Sequence, residues 1–153
     1  MKYHIEKNTI QETLVIPLYA RALCTRRFPH LFSDPLSVEL LEELDYDFTT
    51  LERTSGGLMQ TFGAMEAAMR QSDLAFEVRD YLRDHPQAAV VNLGCGLDQT
   101  GRSCDNGQCR LFSIDLPDVM AVREALLHAR KREKNLAADL NDLSWFDAID
   151  TPL

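Results

Sequence analysis

Two short segments carry the residues whose types and spacing most clearly suit chemistry. Ala88-Ala89-Val90-Val91-Asn92-Leu93 runs directly into Gly94-Cys95-Gly96-Leu97-Asp98, and a second apolar run, Arg110-Leu111-Phe112-Ser113-Ile114, ends on Asp115. A strand-like run followed by a Gly-x-Gly turn lets backbone approach a ligand closely, because glycine carries no Cβ. An acid at the end of the next strand can accept hydrogen bonds from ribose hydroxyls. The layout predicts a nucleoside-cofactor site in a doubly wound α/β domain. The nicotinamide form of the motif, Gly-x-Gly-x-x-Gly, fails because Gln99 stands at the third glycine.

The elements that must position these residues fall into two stretches. The first is helical. Thr9 to Phe28 reads as helix interrupted by Pro17. Asp34-Pro35 is a strong helix start, with Asp as cap and Pro at the first helical position. That helix runs from Pro35 to Leu44 with Leu36, Leu40, Leu41 and Leu44 on one face. Asp45-Tyr46-Asp47-Phe48 opens a loop, and Gly56-Gly57 breaks the chain before a helix over Leu58–Met69. Ser72 then caps a further helix, Asp73–Arg83, with Leu74, Val78, Tyr81 and Leu82 on its inner face, and His85-Pro86 stops it. From Ala88 the pattern changes to strand, glycine turn, strand, helix, strand. The helix spans Pro117–Arg132, buried along Val119, Val122, Leu126 and Leu127, and Asn135–Asp139 is the third strand. The expected organisation is a single domain over 1–153, with a helical cap at 1–86 and the first strands of a parallel sheet at 87–153.

Composition narrows the class. A chain of 153 residues suits one domain with a real core. Its formal net charge of −8 gives no electrostatic reason to seek nucleic acid or anionic membrane. No apolar run approaches the ~20 residues that span a bilayer. Met1–Lys7 lacks the apolar core of a signal peptide, which predicts a cytoplasmic protein. Cys24, Cys95, Cys104 and Cys109 form no Cys-x-x-Cys pair and read as free thiols, with no metal site. His4, His30, His85 and His128 are isolated in sequence, without triad or metal spacing. Arg130-Lys131-Arg132 reads as a solvated helix end, and the acids around residues 42–47 as solvent-facing.

The flanks of the glycine turn add a family resemblance. Val90–Asp98 followed by Phe112-Ser113-Ile114-Asp115-Leu116-Pro117-Asp118-Val119 resembles the leucine carboxyl methyltransferase family of class I S-adenosylmethionine-dependent O-methyltransferases. Pro17-Leu18-Tyr19-Ala20-Arg21-Ala22, Asp34-Pro35 and Asp45-Tyr46-Asp47-Phe48 are similar to the helical cap of its bacterial, polyketide-type branch. The matching motifs occur in order from about Thr13 to Phe146. The resemblance implies an α/β fold in which a helical N-terminal cap is followed by the first part of a Rossmann-like sheet.

By the same resemblance, Gly94, Cys95 and Gly96 admit S-adenosylmethionine, Asp115 meets its ribose, and Leu116 beside it belongs to the cofactor-binding set. Asp139 and Leu140 meet the adenine, and Arg70 pairs with the methionyl carboxylate, which suits a guanidinium fork. Taken without the resemblance, Arg70 is a surface arginine at a helix end, Asp115 an acid in a solvated turn, and Asp139 a cap of the following turn. The family continues beyond Trp145-Phe146 into a fourth strand that carries an acid near the methyl group, so the chain resembles the family's first half. Asp98-Gln99-Thr100-Gly101-Arg102 replaces the family's Asp-Thr-Arg, which puts the place of Arg102 in question. The expected activity is methyl transfer to a carboxylate or hydroxyl of a small-molecule or polyketide-like acceptor, with no catalytic residue identified. The alternative is a non-catalytic module that binds the cofactor or self-associates into a homo-oligomer through an open sheet edge.

Overall fold

A computed structural model describes residues 2–54 and 57–149, with Thr54 described in its backbone only. Gly56 of the expected Gly56-Gly57 break lies outside the described residues. Contacts group the chain into two compact units, Met1–Ser72 and Asp73–Leu153.

In the first unit, β1 (Tyr3–His4) pairs in parallel with β2 (Leu44–Asp45), a pairing the sequence reading missed because each strand is a dipeptide with no periodicity to detect. A 3-10 turn, Ile10–Leu14, leads into α1 (Val15–Arg27). Pro17 sits in the first turn of α1, where the missing N–H removes no helical hydrogen bond. The helix α2 (Pro35–Glu43) packs on α1. Asp34 caps it, accepting the Ser37 N–H at 3.1 Å on Oδ1, while Oδ2 receives Arg21 Nε at 3.2 Å. Both side chains of this ion pair are buried. Val15, Leu18 and Ala22 of α1 meet a core that includes Leu40, Leu41 and Leu44, whereas Leu36 is half-buried. A short helix, α3 (Thr49–Thr54), follows.

The helix α4 (Leu58–Asp84) is continuous, so Ser72 caps nothing. Met69-Arg70-Gln71-Ser72-Asp73 contains neither glycine nor proline, and local propensity is too weak to break a helix there. Pro86 disfavours helical geometry at His85, and the helix ends at Asp84.

In the second unit, β3 (Ala89–Leu93), β4 (Arg110–Asp115) and β5 (Glu133–Ala137) form a parallel sheet in the order β3-β4-β5. The crossovers contain α5 (Thr100–Ser103) and α6 (Pro117–Leu126). Ala75, Leu82, Cys104, Cys109 and Leu111 make one core cluster, with Val78, Ala88 and Val90 packed against it. The inner stripe of this part of α4 is therefore Ala75, Val78 and Leu82, which turns Leu74 and Tyr81 out to solvent, contrary to the expected face. Ile114 of the central strand and Val122 of α6 are fully buried. The architecture is α/β, as the sequence indicates. Among the described residues, no helix is long and apolar enough to cross a membrane.

Three boundaries move here, one of them the end of the last strand, expected at Asp139 and found at Ala137. The helix expected to reach Arg132 stops at Leu126, and the strand expected from Asn135 begins at Glu133. The cause is Arg102, whose Nη2 donates to the Leu127 and His128 carbonyls at 3.1 and 2.8 Å. These are terminal carbonyls that a longer helix would have used itself. Of the basic run, Arg130 and Lys131 are exposed, but Arg132 Nη2 pairs with Asp105 at 2.6 Å.

The Asp34 cap and its buried pair make the first unit sensitive to one side chain. Asp34→Ala removes the cap and strips a carboxylate from a buried guanidinium, with an expected loss of about 3 kcal/mol in urea denaturation followed by helical circular dichroism. Asp34→Asn retains an acceptor for Ser37 and is expected to lose less.

Candidate cofactor site

Strand register brings the expected cofactor residues of the second unit together. Leu93 lies opposite Ile114, and Asp115 lies opposite Ala137. The glycine turn, Asp115-Leu116 and Asp139-Leu140 thus follow the carboxyl ends of three neighbouring parallel strands, where open α/β sheets bind ligands. Arg70 belongs to the first unit. It is exposed and borders an apolar cleft of about 360 Å³ walled by Ile16, Tyr19, Ala20, Leu23, Ala64 and Ala67.

Gly94 has φ +62° and Gly96 has φ +46°, the left-handed region that excludes most side chains. A Cβ placed on Gly94 would meet no heavy atom within 4 Å, so open space faces the turn. The turn is tied to β4 twice. Cys95 N–H donates to the Ile114 carbonyl at 3.2 Å, and Gly96 N–H donates to Asp115 Oδ2 at 2.8 Å. The other carboxylate oxygen of Asp115 accepts the Leu116 N–H at 2.8 Å. A carboxylate has about four acceptor positions, so each oxygen keeps capacity for a further donor. Asp115 is half-buried, and Leu116 forms the N-cap of α6 ahead of Pro117.

Cys95 is buried, with its Sγ 3.8 Å from Met120 Sδ. Burial pushes its thiol up to about 12, opposed by Arg123, so it is a protonated spacer at neutral pH. Below it, Asp98 is locked by Asn92 Nδ2 at 2.8 Å and by the Thr100 hydroxyl at 2.9 Å.

Asp139 is exposed. Its Oδ1 accepts the backbone N–H and the side-chain amide of Asn141, at 2.9 and 2.8 Å, and these bonds hold its carboxyl below the usual range. Leu140 beside it is half-buried. The same aspartate therefore shapes its own turn and faces solvent.

Arg102, whose place the altered Asp-Thr-Arg motif left open, points inward. Its Nε meets Glu133 Oε2 at 2.7 Å. Glu133 also faces Arg123, whose Nη2 lies 3.3 Å from Oε1. Arg123 Nη1 donates to the carbonyls of Gly96 and Asp98 at 2.8 and 2.9 Å. Sequence reasoning passed over Arg123 and Glu133. A signal existed for Arg123, which follows Val122 and lies four residues beyond Val119 on the buried face of α6. Gln99 is also buried, and neither polar atom of its amide has a hydrogen-bond partner among the described residues.

A depression of about 440 Å³ lies at the other end of the strands, lined by Tyr81, His85, Ala89 and Arg110. It sits where β3 and β4 begin, away from the glycine turn.

The glycine turn and acidic strand ends acquire a family context from known proteins. The leucine carboxyl methyltransferase family matches residues 15–151. The chain belongs to that family. Among curated proteins it is similar to the tetracenomycin polyketide synthesis O-methyltransferase TcmP of Streptomyces glaucescens, 30% identical over 141 residues. The alignment covers 92% of this chain and 50% of that protein, so the chain spans about half the length of this relative.

Cys24, Cys95, Cys104 and Cys109 are free thiols and all buried. At pH 8 the folded chain is expected to react negligibly with a thiol-specific disulfide reagent, and all four cysteines are expected to react once denaturant is added. Rapid labelling of the folded chain at Cys95 would contradict the buried turn.

Proposed function

We propose that this chain binds S-adenosylmethionine and serves O-methylation of a small-molecule acceptor. The observation that carries the reading is the pairing of Gly96 and Asp115. One carboxylate braces a left-handed glycine turn, beside open space, and keeps acceptor capacity for a diol. Family membership supports S-adenosylmethionine as the nucleoside these features would take.

In this reading Asp115 accepts the ribose hydroxyls, and Gly94 and Gly96 leave room for the ligand against the backbone. Leu116 and Leu140 supply apolar surface to the adenine, whose amino group donates to Asp139. Arg70 pairs with the methionyl carboxylate. Bound S-adenosylmethionine supplies an electrophilic methyl group on a sulfonium, already a good leaving group. The protein's work is then alignment and exclusion of water. The relative's part in polyketide synthesis supports a polyketide-like acceptor with a hydroxyl or carboxylate. A carboxylate acceptor needs no general base, whereas a hydroxyl acceptor benefits from one.

Isothermal titration of the chain with S-adenosylhomocysteine is expected to give a dissociation constant in the micromolar range or weaker, lost in Asp115→Ala. Absence of heat with the intact chain overturns the reading. Binding without methyl transfer to any phenol or carboxylic acid offered would instead favour a non-catalytic, cofactor-binding module.

A further inference from the structure

We infer that Arg123 is the positioning residue of the glycine turn. The inference rests on the reading that this turn receives the cofactor. Gly96 is held on both of its peptide groups. Its N–H is fixed by Asp115 at 2.8 Å, and its carbonyl by Arg123 Nη1 at 2.8 Å. The same nitrogen reaches the Asp98 carbonyl at 2.9 Å, so one guanidinium spans the turn from Gly96 to Asp98. The other arm, Nη2, is held by Ser113 Oγ at 3.2 Å on β4 and by Glu133 Oε1 at 3.3 Å on β5. A planar fork of donors is suited to this task, since it transmits the position of the strands to the turn without a rotatable bond between its arms.

The clamp is enclosed. Arg123 and Glu133 side chains are each 1% exposed, so neither bond competes with water. Glu133 is in turn oriented by Arg102 at 2.7 Å. The arginine thus reaches no ligand itself. It sets the path of the backbone that frames the open space beside Gly94, and through Gly96 it sets the hydrogen bond on which Asp115 is oriented. A lysine would keep the charge opposite Glu133 but present a single ammonium, which cannot reproduce both arms.

The test compares Arg123→Lys and Arg123→Met with the unchanged chain and with Leu82→Ala, a core truncation on α4 that lowers stability without touching the turn. All are titrated with S-adenosylhomocysteine at a temperature where each is folded by circular dichroism. Both Arg123 variants are expected to bind about tenfold more weakly, the loss typical of one charge-assisted hydrogen bond, while Leu82→Ala binds as the unchanged chain does. Hydrogen exchange supplies a readout free of ligand. The amides of Gly96 and Asp98 are expected to exchange about tenfold faster in Arg123→Met, with the β4 amides unchanged. Wild-type affinity in both folded variants overturns the inference, and so does unaltered exchange at the turn. If the unchanged chain binds no S-adenosylhomocysteine, the cofactor reading fails, and exchange at the turn alone then decides whether Arg123 positions it.

Discussion

A buried carboxylate with two guanidinium partners organises the second unit. Glu133 opens β5 with its side chain sealed from water, and Arg102 and Arg123 approach it from different elements. Burying one charge unpaired is costly, and burying it with two hydrogen-bonded counter-charges is tolerable only if all three are held in place. That requirement links α5, α6, β4 and β5 into one arrangement. Arg102 also terminates α6 through the Leu127 and His128 carbonyls, so a single ion cluster determines where a helix stops and where the next strand begins.

From this cluster the order extends outward to the strand ends. The parallel register carries Leu93, Asp115 and Ala137 to the same edge of the sheet, and the short links beyond them present glycine backbone, a half-buried carboxylate and an exposed one side by side. The carboxylates differ in character. Asp115 spends both oxygens on the backbone of its surroundings, whereas the Asp139 carboxylate is tied into a local turn through Asn141.

The sequence made much of this legible, for identifiable reasons. The strand, glycine turn, strand and terminal Asp115 were readable because apolar runs and Gly-x-Gly are local signals. Asp34-Pro35 announced α2 because a cap and an N-terminal proline act within one turn. What escaped was decided at long range. Glu133 and Arg123 carry no local signal of pairing, and only the packing of α6 beside β5 sets them against each other, ten residues apart in sequence. The junction at Ser72 read as a cap because serine can cap, yet no glycine or proline enforces a break, and α4 runs through it. Leu74 and Tyr81 were assigned inward because their spacing suits a helical face, but Ala75 is what the packed cluster admits.

Cys95 has a further consequence for the turn it occupies. Its sulfur rests against the sulfur of Met120, so a single small side chain fills the gap between the glycine bend and α6. Interiors are close-packed, and such a gap has a fixed width. The residue at this place works as a shim: a smaller one leaves slack beneath the bend, and a larger one levers the helix away from it. The thickness of one side chain therefore calibrates the spacing between the bend and α6.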